Sequence, residues 1–167
     1  MRIRTVLLTV PVCGILTQPL WAPQLGSGIL GEVAALGVGG GLAALAVFFG
    51  LVALYVQTLR GLLTAVRPEA RRRTPRSLWL MFAIPLNFVE DFEIVSDLAA
   101  SLRADGAFAT GAVRAWRAVG IGWCALQLVS LLPGEVGLAG GLLAIVLWAA
   151  HWLHTVMLIR RRRRTAD

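Results

Sequence analysis

Apolar positions in this chain run together instead of alternating with polar ones. Uncharged, mostly apolar stretches occupy residues 5–22, 33–59, 118–134 and 136–159. A helix rises about 1.5 Å per residue, so about 20 apolar residues cross a hydrocarbon core of about 30 Å. The pattern predicts an all-α, polytopic integral membrane protein with four transmembrane helices. The first stretch also has the layout of a signal peptide, with a basic start at Met1–Arg4 and an apolar run at Thr5–Leu16. Cleavage after Ala22 would place Leu20 and Pro23 at unfavourable positions, so an uncleaved span broken by Pro11 and Pro19 is expected.

Residues 78–103 break the pattern. The uncharged piece Ser77–Val89 has 13 residues and would reach only about 20 Å as a helix. Glu90, Asp91, Glu93 and Asp97 follow it. Four acids inside a span would cost on the order of 10 kcal/mol. The segment is therefore expected to be interfacial or re-entrant. Pro85 disfavours helix at Ile84 and predicts a turn. Asn87 is then the expected N-cap of an amphipathic helix that Gly106 stops. At helical spacing Phe88, Phe92, Val95, Ala99 and Leu102 share one stripe, opposite Glu90, Glu93 and Asp97. This predicts a helix along the cytoplasmic surface, its acidic face turned to the arginine-rich loop 67–76 or to a basic partner.

Charge fixes the orientation. The chain carries 16 basic residues, all arginine, against nine acids, for a net +7. With the N-terminus cytoplasmic and four crossings, segments 1–4, 60–117 and 160–167 hold two, nine and five arginines, which is all 16. The far-side loops, 23–32 and Pro133–Glu135, hold none. This is the positive-inside distribution of an inner-membrane, multi-pass protein with both ends cytoplasmic. Arg71, Arg72, Arg73, Arg76 and the tail Arg160, Arg161, Arg162, Arg163 and Arg164 are the expected ligands of anionic headgroups. Arginines clustered at span ends argue for lipid and against nucleic acid as the partner.

Composition narrows the chemistry further. With 57% apolar and 15% charged residues and a mean hydropathy of +0.75, a soluble enzyme domain is excluded. Cys13 and Cys124 lie in apolar runs, without metal spacing or a disulfide framework. Gly26–Gly31 matches G-x-G-x-x-G but has no strand before it, so it does not suggest a dinucleotide site. Gly37 and Gly41, and Gly137 and Gly141, are four apart, which suits close helix packing in lipid. Trp21, Trp79 and Trp116 fall near the expected span ends, as interfacial tryptophans do. His151 and His154 are the only histidines. Three apart on the last span, they are candidate metal or haem ligands, with Glu90, Glu93 or Asp97 completing a mixed site. No cofactor is indicated beyond that.

The stretch Trp79–Phe88, with Ile84-Pro85-Leu86-Asn87-Phe88 at its centre, resembles the central motif of a family of small four-span bacterial membrane proteins of unknown function. One residue separates Pro85 from Asn87 where the family has two, and Val89-Glu90-Asp91 replaces its second proline. The resemblance implies four spans around a cytoplasmic segment and no activity. The function expected from sequence is a non-enzymatic assembly or regulatory subunit, binding a protein partner or a second copy through Glu90, Asp91, Glu93 and Asp97. A small transporter or proton-coupled permease is the first alternative. A metal- or haem-binding redox subunit through His151 and His154 is the second.

Overall fold

The computed structural model describes residues 3–25, 33 and 35–164. Among them every regular element is helical. Helix α1 spans Ile3–Leu16 and α2 spans Gln18–Trp21, with a 3-10 turn at Pro23–Leu25. Helix α3 spans Gly37–Thr64, α4 Asn87–Asp105, α5 Thr110–Val129 and α6 Gly134–Arg164, and 3-10 segments at Pro68–Ala70 and Pro75–Phe82 join α3 to α4.

Among the described residues only α3 and α6, of 28 and 31 residues, are long and apolar enough to cross a membrane. The other two expected spans differ for local reasons. Pro19 has no N–H to bond back to the preceding turn, and the chain breaks at Thr17. That leaves α1 with 14 residues, about 21 Å by helix rise. Helix α5 starts eight residues before the expected 118, taking in Arg114 and Arg117, and ends by 129.

Helix α6 begins at Gly134, whose φ of 73° lies in the left-handed region. It ends on Arg161–Arg164, which complement the helix dipole. Helices α5 and α6 form an antiparallel hairpin. A methyl on Gly140 would sit 2.7 Å from Val129 Cγ1, and one on Gly137 would overlap the Leu132 carbonyl. The glycines of the last span thus serve close packing. Gly37 and Gly41 do not: Gly37 faces open space, and the atoms nearest Gly41 belong to Val33 of its own segment.

Between α3 and α5 the chain makes a second hairpin, lying along α3. Trp79 sits under Arg60, its ring centroid 6.0 Å from the guanidinium carbon. Phe82 stacks on Phe49, which precedes Arg60 by eleven residues and about 16 Å along the α3 axis. The chain turns over 83–86, with a cis Ile84–Pro85 bond, and α4 runs back until Asp105 meets Arg67. Gly106, at φ 72°, caps it there. The expectation was a helix along the cytoplasmic surface of the membrane with one face free; instead both faces of α4 are covered by the rest of the chain. From Asn87 to Leu102 no α4 residue is exposed.

The core lies at the arginine-rich end. Val56, Leu59, Leu62 and Leu63 of α3 pack with Leu78, with Ile94, Val95, Leu98 and Leu102 of α4, and with Val113, Trp116 and Cys124 of α5. The opposite ends of α3 and α6 carry exposed apolar side chains, among them Val38, Leu42, Val47, Val136, Leu142 and Val146. Contiguous apolar surface of this kind suits contact with lipid better than water.

Candidate functional site

Packed inside this bundle are more polar groups than an apolar core requires. They fall into three connected groups, beginning at the arginine loop.

Arg73 leaves the loop and enters the bundle. Its Nη2 donates to Glu90 Oε1 at 2.7 Å and its Nε to Asp97 Oδ2 at 3.3 Å. All three side chains are largely buried, Arg73 being 10% exposed and Glu90 8%. The spacing of Glu90 and Asp97, seven residues apart, puts both carboxylates on the α4 face that meets the loop. Beside them Ser101, expected on the helix surface, is fully buried. Its Oγ donates to the Asp97 carbonyl and accepts the Arg72 backbone N–H.

Arg71 also turns inward, donating to the Val66 and Thr64 carbonyls. Carbonyls in the last turn of a helix have no partner within it, so a guanidinium here completes the end of α3. Arg71 and Arg73 are therefore fold contacts and not free headgroup ligands, which corrects their sequence assignment. Arg72, Arg76, Arg160, Arg161, Arg163 and Arg164 are exposed, and Arg162 is half-buried. Arg67 closes the far end of α4. Its backbone N–H and Nε both reach Asp105 Oδ1, at 2.9 and 3.2 Å. Burial pushes the Asp105 carboxyl up, but the Arg67 hydrogen bonds and charge outweigh it and hold the acid below its ordinary range.

The second group is at the other end of α4. Asn87 is the first helical residue and caps nothing, since Leu86 occupies the N-cap position. Its Oδ1 is buried and without a hydrogen-bond partner, and so is Oδ1 of Asp91. The two are one helical turn apart. Asp91 is 2% exposed. Burial first, and then the adjacent Glu90 charge, push its carboxyl well above the ordinary range, with Arg73 opposing.

The third group lies beside it in the spans. The Tyr55 hydroxyl and His151 Nδ1 share a 2.7 Å hydrogen bond, with both residues fully buried. Trp116 lies 4.3 Å from the His151 ring, and Trp123, Trp148 and Trp152 surround Tyr55 at 5.6–5.8 Å. Trp116 Nε1 donates to Thr155 Oγ1 at 2.8 Å. Trp116 is thus an inner-wall residue, not an interfacial one. His151 Nε2 is buried without a partner and is directed at Gly120, where a methyl would sit 2.6 Å from it. Val95, one turn beyond Asp91, packs in the same buried cluster as Tyr55 and Cys124.

Of the acids singled out by sequence, Glu90 and Asp91 are buried while Glu93 and Asp97 are half-buried and engaged. His154 is half-buried and stands apart from the Tyr55–His151 bond. No group of three or more His, Cys, Asp or Glu able to hold a metal occurs among the described residues. The Gly26–Gly31 motif lies outside the described residues. Sequence reading missed Tyr55 and Gly120, and gave Asn87 only a capping role. The one available signal was Tyr55, the sole tyrosine, set with its polar tip in an apolar run. Comparison with protein-family models, curated proteins and solved structures finds no match, so the likeness at Phe82–Phe88 is not carried further.

Proposed function

We propose that this chain is a four-span inner-membrane protein with both ends cytoplasmic, and that it works as a small proton-coupled permease. In this reading α1–α2, α3, α5 and α6 cross the bilayer. Residues 75–105 form a re-entrant hairpin entered from the cytoplasmic side. The observation that carries the reading is α4 itself: from Asn87 to Leu102 it bears four acids and has no exposed residue. It buries Asp91 one turn from Val95, whose core cluster includes Tyr55, about 14 Å along α3 from its arginine-rich end. Ionisable groups at such depth mark ion or proton paths in membrane proteins.

The same burial counts against α4 as a docking surface, because Glu90 and Asp97 are bound to Arg73 within the chain. A metal role finds no group of three or more His, Cys, Asp or Glu among the described residues.

Two measurements test the reading. In a Cys13→Ala, Cys124→Ala background, Ala109→Cys should resist an impermeant thiol reagent in intact cells and react after lysis. Labelling in intact cells would put residues 106–109 outside and break the topology. Proteoliposomes with an internal pH dye should show protein-dependent proton flux under an imposed gradient, lost in Asp91→Asn. Flux no greater than in empty liposomes would refute proton coupling.

A further inference from the structure

Two buried oxygens on one face of α4 have no hydrogen-bond donor: Asn87 Oδ1 and Asp91 Oδ1. Asn87 is 7% exposed and Asp91 2% exposed. Side chains at i and i+4 of a helix are neighbours. Two neighbouring acceptors without a donor are expensive to bury. One hydrogen atom between them satisfies both.

The geometry points to a proton-binding site at the inner turn of the hairpin: Asp91 is a neutral carboxylic acid at rest, and its O–H donates to Asn87 Oδ1. Proton uptake here adds one proton from water to the Asp91 carboxylate, and release returns it. The surroundings fit that state. On its own helix Asp91 adjoins Glu90, which with Asp97 already shares the one guanidinium of Arg73, at 2.7 and 3.3 Å. A second carboxylate beside it would have no cation of its own. One turn further along α4, Val95 packs in the cluster that holds Tyr55 of α3 and Cys124 of α5, and neither brings a cation. His151 of α6 is one hydrogen bond beyond, through the Tyr55 hydroxyl. Helix α1, which also packs against α4, bears no charge from Thr5 to Leu16. The positive end of the α4 dipole favours anions, and Glu90 supplies one.

This inference deepens the proton-coupled reading and rests on it for the proton's use, though not for its binding. The test is the infrared carboxylic-acid C=O stretch of the purified full chain at neutral pH, with hydrogen–deuterium exchange to identify it. A band that disappears in Asp91→Asn and persists in Glu90→Gln is expected. In Asn87→Ala it should move to higher frequency, as a freed carboxyl does. The first two variants decide the matter if Asn87→Ala fails to fold. Absence of the band from the wild type would mean an ionised Asp91 held by a turned Asn87 amide, and would overturn the site. A band lost in Glu90→Gln but kept in Asp91→Asn would overturn it equally. An Asp91 band without proton flux in liposomes leaves the site standing and refutes only the permease reading.

Discussion

Replacing Arg73 with leucine removes the only cation bonded to Glu90 among the described contacts and leaves that carboxylate in a nearly dry setting. The contact is short, at 2.7 Å, and the two side chains are 10% and 8% exposed. Water cannot take over the role of the guanidinium. Breaking one side of a buried pair costs about 3–5 kcal/mol. Asp97, at 16% exposure and 3.3 Å, is better hydrated and adds little to that figure. In a chain of this length each kcal/mol moves the melting midpoint by about 2–4 °C, so Arg73→Leu should lower it by about 6–20 °C. The six tryptophans give an intrinsic fluorescence signal for a melt in detergent. The cost of removal is not the net worth of the pair, because Arg73 Nη1 is itself buried without a partner. For that reason Arg73→Leu combined with Glu90→Leu should recover most of the lost stability. A single variant melting within about 2 °C of wild type would refute the argument. So would a double variant as unstable as the single one.

Other consequences concern packing and pH. Gly120→Ala should destabilise by about 1–3 kcal/mol through overpacking, because its methyl would lie 2.6 Å from His151 Nε2 and 2.8 Å from Val95 Cγ1. Val95→Ala should restore part of the loss in the same melt, and equal stability of Gly120→Ala and wild type would contradict the placement of His151. Asp105 titrates below its ordinary value of 3.8 in the folded chain. Its contribution is therefore complete above the unfolded value and disappears as pH falls through the lower folded one. The acid limb of stability below about pH 4 should be shallower in Asp105→Asn. Because Arg67 is 64% exposed, added salt should reduce the difference; a difference that grew with salt would count against the pair.

Long apolar runs specify membrane-length helices without help from tertiary contacts, since a helix satisfies its own backbone and lipid accepts its side chains. The helices α3 and α6 and the arginine bias at their ends were legible for that reason. So was the turn at Pro85, where a ring constrains its neighbour, and so was the stop at Gly106, which takes the left-handed conformation. The acids of α4 were legible as an anomaly but not as a site. Helical periodicity reports which residues share a face, and says nothing of what that face meets. The stripe was assigned to the membrane surface because four acids alone are too costly to bury. What changes that sum is Arg73, 17 positions before Glu90, arriving from a loop that by composition resembles a run of headgroup ligands. Tyr55 and His151 are 96 positions apart in separate apolar helices. The His151 ring occupies room that the missing side chain of Gly120, on a third helix, leaves open. Sequence determined the elements that lipid and local backbone sterics stabilise one at a time. Tertiary structure alone decided which buried charges are neutralised and which polar atoms are left without a partner, because both depend on groups that distant segments deliver.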